Sequence, residues 1–281
     1  MKLNFTKMHG TGNDYVYVNL FEETIDNPKR ISQIVSDRHF GIGSDGLILI
    51  APSKVADCRM IMYNADGSEG AMCGNGIRCV AKYVYDNDIV KKDIVLVETK
   101  SGIKKIDLTV ENGKATYAAV DMGKAILAPC DIPVDAEGST FINQKILVEG
   151  VEYAVTCVSM GNPHCVIFTD KIDELKLEQI GPSFENHPMF PDRINTEFVE
   201  VLDKTNLKMR VWERGSGETI SCGTGTCAAT VAAVLNGYCE KNHEIAVHIR
   251  GGILCDKYME DGTVIMKGPA TTVFEGRIEV Q

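Results

Sequence analysis

The chain has 281 residues, 44 % of them hydrophobic, with 29 basic and 39 acidic side chains and a net charge of −10. That length suits two domains better than one core. The acidic balance argues against a general nucleic-acid binder, which needs clustered Lys and Arg, while leaving room for a small zwitterionic ligand held by local dipoles.

No apolar run approaches the ~20 residues of a membrane span, and Met1-Lys2-Leu3-Asn4-Phe5 opens no signal-peptide core, so a cytoplasmic protein is expected. Ten cysteines are scattered along the chain with no C-x-x-C; Cys73 and Cys79, and Cys222 and Cys227, fit no zinc or iron–sulfur spacing, and no bound metal is expected. Most of them read as small buried hydrophobes.

In chain order, Lys7–Asp14 reads as a glycine-rich loop, Tyr15–Val18 as a strand and Pro28–Val35 as a short helix opened by its proline. Gly41-Ile42-Gly43-Ser44-Asp45-Gly46 matches G-x-G-x-x-G, but Leu47–Ile50 continues it as a strand rather than a helix, which argues against a dinucleotide site. Arg59–Tyr63, Ile94–Glu98 and Lys104–Val110 read as strands, Gly76–Asp86 as a helix and Asn112-Gly113 as a hairpin turn. Ala128–Thr140, with two prolines and a glycine, is the most linker-like stretch.

The second half then repeats the first at a constant offset. Cys222-Gly223-Thr224-Gly225 lies 149 residues (222 − 73) after Cys73-Gly74-Asn75-Gly76, and Gly161-Asn162, Gly251 and Asp261-Gly262 lie at the same distance from Gly12-Asn13, Gly102 and Asn112-Gly113. This predicts an α+β fold of two pseudo-symmetric homologous domains. Each is a mostly antiparallel sheet around a central buried helix, with the active site in the cleft between them. The expected bounds are residues 1–119, with 268–281, for the domain carrying Cys73, and 120–267 for the one carrying Cys222. The second central helix, about Gly225–Leu235 and capped by Asn236-Gly237, is apolar nearly all round and so buried on all sides.

Each repeat therefore sets a thiol at a helix N-terminus, where a thiolate is favoured and free amides suit a carboxylate. Two such thiols facing one α-carbon can remove a proton from one face and return one to the other, inverting the centre. A proline-racemase-like isomerase, or a non-catalytic binder in which Cys73 and Cys222 form a disulfide, would use the same pair.

Met8–Asp14, Asn64–Glu69, Cys73–Arg78, Gly161–His164, Asn195–Phe198 and Glu213–Gly215 through Cys222–Gly225 together resemble the diaminopimelate epimerase family over essentially the whole chain. The resemblance implies a cofactor-independent isomerase that interconverts LL- and meso-diaminopimelate for lysine and peptidoglycan precursor synthesis, acts on a small molecule and tends towards homodimers. It implies Cys73 and Cys222 as acid and base. Asn13, Asn64, Asn162, Asn195, Glu213 and Arg214 would hold the distal amino-acid end, and the amides of Gly74, Asn75, Gly223 and Thr224 the reacting carboxylate. His164 and Glu213 would tune the thiols. Gly46 departs from those family members that carry a substrate-contacting glutamine there, so another group must replace that contact.

Overall fold

The structure is a computed structural model that describes residues 2–280. The chain divides into two compact units, one of residues 2–121 with 267–280 and the other of residues 122–266.

In the first unit, β1 (Lys2–Gly10) turns through Thr11 and Gly12, with φ of 49° and 87°, into antiparallel β2 (Asn13–Asn19). Positive φ at both central residues suits a two-residue hairpin. The loop expected over Lys7–Asp14 is thus mostly strand, and Asn13 begins β2. α1 (Pro28–Ser36) starts at Asn27, whose Oδ1 accepts the Arg30 N–H, with Pro28 in the first turn. β3 (Gly46–Ala51), buried throughout, runs parallel to β2 and antiparallel to β4 (Cys58–Asn64). β5 (Glu69–Gly70) folds back on β4 and leads into α2 (Gly74–Asp86). β6 (Ile94–Thr99) pairs parallel with β4 and continues antiparallel into β7 (Gly102–Glu111) and β8 (Lys114–Lys124).

In the second unit, the stretch expected as a linker, Ala128–Thr140, carries a short 3₁₀ turn at Pro129–Asp131 and drives Ile132 and Val134 into a core that also holds Phe184, Phe190 and Phe198. Its prolines shape a packed loop rather than a free tether. β9 (Gln144–Val148), β10 (Val151–Ser159) and β11 (Pro163–Phe168) form an antiparallel run, followed by α3 (Leu177–Glu185). β12 (Asn195–Asp203) lies parallel to β11 and antiparallel to β13 (Asn206–Glu213), and β14 (Gly217–Thr219) returns along β13. α4 (Gly223–Leu235), β15 (Ile245–Ile249) and β16 (Gly252–Tyr258) follow, and β17 (Thr263–Pro269) begins in this unit and ends in the first. β18 (Thr271–Glu279), not expected from the sequence, belongs to the first unit and pairs antiparallel with β1.

The repeat is structural as well as sequential. β10, α3 and α4 occupy the residue numbers of β1, α1 and α2 shifted by 149. The parallel register Tyr15↔Gly46 recurs as His164↔Asn195, and the antiparallel register Leu47↔Tyr63 as Thr196↔Trp212. Both helices begin two residues earlier than their apolar periodicity suggests, because each cysteine is itself the N-cap residue and the glycine after it is already helical. Every residue of α4 from Gly225 to Ala233 is buried, as its all-round apolar sequence requires. In the second core Phe184 meets Phe198 edge to face at 5.5 Å, an arrangement that adds about 0.5–1.5 kcal/mol beyond burial. Among the described residues no helix is long and apolar enough to cross a membrane.

Candidate active site

In the first unit, the β1–β2 hairpin, the start of β3 and the start of α2 converge on Cys73. The Gly76 N–H donates to Cys73 Sγ at 3.3 Å, the capping contact of α2, and the Cys73 thiol donates to Asn13 Oδ1 at 3.3 Å. Asn13 is held in that orientation because its Nδ2 donates to Asp45 Oδ2 at 2.7 Å. Asp45 also accepts the Asp14 N–H and an Arg38 guanidinium N–H, so the one acidic residue of the glycine motif braces the site rather than a nucleotide. Tyr15 is buried, and its hydroxyl acts to favour the Cys73 thiolate. Burial pushes its phenol well above the ordinary range, so it stays protonated and serves as a donor. Gly74 and Asn75, both buried, provide first-turn amides beside the sulfur. Asn64 stands further out: its Nδ2 donates to Ser68 Oγ at 2.9 Å and shapes the turn before β5. Gly46 has no room for a side chain, since a Cβ there would lie 2.1 Å from the Tyr63 carbonyl oxygen and 2.8 Å from Tyr15 Cε1.

In the second unit, Cys222 is the N-cap residue of α4 and is buried, without the side-chain capping bond that Cys73 makes. Its Sγ lies 3.6 Å from Thr224 Oγ1, which accepts from Asn162 Nδ2 at 3.2 Å. Asn162 Oδ1 lies 3.1 Å from His164 Nε2, and His164 Nδ1 lies 2.7 Å from Glu197 Oε1. Because the Asn162 amide nitrogen is committed to Thr224, its oxygen faces the imidazole and Nε2 carries the hydrogen. His164 and Glu197 are both fully buried. Asn195 Oδ1 accepts the Arg214 N–H at 3.0 Å, and Arg214 Nη1 donates to the Asp192 carbonyl at 3.0 Å, which leaves further guanidinium donors for a ligand. Glu213, at the end of β13, accepts the Thr219 hydroxyl. Gly223 and Thr224 form the first turn of α4.

The sequence predicts thiols made acidic by their helix ends, and the structure corrects that. Burial pushes Cys73 up, although the Gly76 amide, Tyr15 and Arg78 pull in the other direction. Burial pushes Cys222 up much further, reinforced by the charges of Glu213 and Glu197. Desolvation of a sulfur inside the fold outweighs the helix dipole. Glu197 is also raised by burial, with its His164 contact opposing.

Four residues near the thiols were not assigned from the sequence: Tyr15, Asp45, Arg78 and Glu197. Tyr15 and His164 occupy the same place in the two repeats, 149 residues apart, which was the available signal for Tyr15. Buried charges cannot be recognised from composition alone, so Arg78 and Glu197 read as ordinary members of their motifs. All ten cysteines are free; Cys79, Cys157 and Cys227 are fully buried, as small core residues are.

Comparison with known proteins accords with this arrangement. The family model for diaminopimelate epimerase matches residues 5–128 and 156–273. A diaminopimelate epimerase of Agathobacter rectalis is 57 % identical over 286 residues, covering 99 % of this chain and all of the relative. One of Acetivibrio thermocellus is 55 % identical over 279 residues, with 99 % of each covered, and one of Methanococcus maripaludis is 53 % identical over 99 % of this chain and 100 % of its own. Among solved structures, a Bacillus anthracis protein of the PhzF phenazine-biosynthesis family superposes with a TM-score of 0.71 at 16 % identity over all of both chains. A hydroxyproline epimerase of Agrobacterium vitis gives a TM-score of 0.66 at 14 % identity over 99 % of this chain and 92 % of that one. These two share the fold, and the sequence matches go further: this chain belongs to the diaminopimelate epimerase family.

Proposed function

We propose that the protein interconverts LL- and meso-2,6-diaminopimelate by moving the α-proton between two thiols, a step of lysine and peptidoglycan precursor synthesis. The observation that carries this is the duplicated cap: in each repeat a cysteine begins the central helix and sits among first-turn amides. One sulfur, as thiolate, removes the α-proton, and the other, as thiol, delivers a proton to the opposite face. The amides of Gly74, Asn75, Gly223 and Thr224 bind the carboxylate at the reacting carbon and stabilise the charge that develops there. Asn13, Asn64, Asn162, Asn195, Glu213 and Arg214 recognise the distal amino acid, with Arg214 on its carboxylate and Glu213 on its ammonium. His164 acts on the thiol chemistry through Asn162, and Glu213 through its charge beside Cys222. No cofactor enters this scheme.

We assign one epimerase domain to each unit, place the enzyme in the cytoplasm and take it to act as a homodimer, which light scattering on the purified protein tests. The activity is tested by incubating LL-diaminopimelate, proline or glutamate with the protein alone and separating the stereoisomers. Formation of the meso isomer from LL-diaminopimelate, with proline and glutamate unchanged, is expected. Inversion of proline instead would keep the two-thiol chemistry and overturn the substrate.

A further inference from the structure

Because the two units carry one repeat, a charged side chain in one that faces an apolar one 149 residues away marks a place where their chemistry differs. Two such positions adjoin the thiols, and both are fully buried. Arg78, in α2, has Cys227 as its counterpart in α4; Glu197, on β12, has Ile48 as its counterpart on β3. The second equivalence holds in space. A Cβ built on Gly76 would lie 2.6 Å from Ile48 Cδ1, and one built on Gly225 would lie 2.8 Å from Glu197 Oε1 and 3.2 Å from Cys222 Sγ. A carboxylate thus occupies beside the Cys222 helix the place that a methyl occupies beside the Cys73 helix. Arg78 tucks its guanidinium under the first turn of α2. Nη1 donates to the Gly74 carbonyl and Nε to that of Pro269, each at 3.3 Å, and a Cβ on Gly10 would lie 2.7 Å from Nη2. Gly10 leaves the space that the guanidinium fills; its counterpart in the other unit is Ser159.

We propose that Arg78 and Glu197 are positioning charges that make the two thiols unequal: Arg78 favours the thiolate of Cys73, and Glu197 keeps the proton on Cys222, so that Cys73 is the more acidic of the pair in the free protein. This rests on the two-thiol reading of the site. The groups around Cys73 are the Gly76 amide, the Tyr15 hydroxyl, Arg78 and Asn13. Asn13 Oδ1 opposes Arg78, because it accepts the thiol proton. That contact is a single neutral S–H···O bond, whereas a guanidinium keeps its charge and is bound to the Gly74 carbonyl, in the first turn of the helix that Cys73 opens. Around Cys222 stand Glu213, Glu197 with His164 bound to it, the Thr224 hydroxyl and the Gly225 amide. Glu197 Oε1 reaches the first turn of α4 that Cys222 opens, since a Cβ on Gly225 would meet both that oxygen and Cys222 Sγ, and Glu213 adds a second negative charge. In one turnover the α-proton moves to Cys73 while Cys222 gives its own to the opposite face. Before another turnover in the same direction, Cys73 releases a proton to solvent and Cys222 takes one.

The test uses the free protein and no substrate, so it stands apart from the activity assay. Iodoacetamide labelling of Cys73 and Cys222 is followed peptide by peptide as a function of pH, and each thiol is normalised to its own plateau. Exposure scales a labelling rate but leaves its pH midpoint in place. The midpoint of Cys73 is expected below that of Cys222. Arg78→Met should raise the Cys73 midpoint by about one unit or more and leave that of Cys222 unmoved, while Arg78→Lys should restore it in part. Glu197→Gln, which keeps a hydrogen-bond acceptor for His164, should lower the Cys222 midpoint alone. Should Arg78→Met fail to fold, Arg78→Lys and Glu197→Gln carry the comparison. Coincident or reversed wild-type midpoints, or a Glu197→Gln protein with an unmoved Cys222, would overturn the proposal.

Discussion

Replacing Thr224 by Val removes one hydroxyl while keeping the backbone amide, the side-chain volume and the β-branch. That hydroxyl accepts from Asn162 Nδ2 at 3.2 Å and lies 3.6 Å from Cys222 Sγ. With its lone pair engaged by Asn162, its hydrogen is free to point at the sulfur and stabilise the thiolate. A hydrogen bond to a charged group contributes about 1.5–3 kcal/mol, and 1.4 kcal/mol is tenfold in rate. The long contact to sulfur places the loss at the lower end, so kcat/KM should fall about tenfold. The loss should be equal in the LL-to-meso and meso-to-LL directions, because the equilibrium between the isomers does not depend on the enzyme. Thr224→Ser should retain most of the activity. Stereoisomer separation at low substrate in both directions measures this, with thermal melting to show that both variants fold. A Thr224→Val enzyme within twofold of wild type, or a Thr224→Ser enzyme equally impaired, would refute the role given to the hydroxyl.

Other outcomes follow from the same geometry. Because burial raises both thiols, kcat/KM should increase with pH through the neutral range as the thiolate forms; a flat profile from about pH 6 to 9 would contradict this. Cys73→Ala should abolish turnover yet keep binding of diaminopimelate in calorimetry; turnover that survives the substitution would contradict the role given to the thiol. Asp14, held below the ordinary carboxylate range by Arg38 and the buried Lys7 against the cost of burial, stabilises the fold above its unfolded pKa and loses that contribution as pH falls through its lowered folded value. Asp14→Asn should therefore cost about 1–3 kcal/mol in urea unfolding at pH 7 and much less near pH 3, with equal costs at both refuting the assignment.

The repeat was the most legible feature of the sequence, because a constant offset constrains both halves at once. α1 with α3, and α2 with α4, coincide residue for residue after the shift. Local composition misled where tertiary packing decides. Pro129 and Pro133 mark a loop, but Ile132 and Val134 between and beyond them carry it into a core. β18 was not anticipated because its long run of exposed side chains lacks an apolar face, and its pairing with β1 is a contact across nearly the whole chain. At the thiols, helix-end placement was readable, whereas the degree of burial, which sets the direction of their acidity, was not. Asp45 illustrates the same limit. It sits in a glycine motif that suggests phosphate, yet its carboxylate takes the Asn13 amide and the Arg38 guanidinium.

The central claim is that two different thiols handle the departing and the arriving proton. The most direct test runs the reaction in D2O from LL-diaminopimelate and follows, at early times, the isotope at the α-carbon of both product and remaining substrate. Two-thiol transfer predicts meso product fully deuterated at the inverted carbon and recovered LL substrate still carrying protium. Product that retains the original proton would mean that one group serves both faces, and would contradict the account.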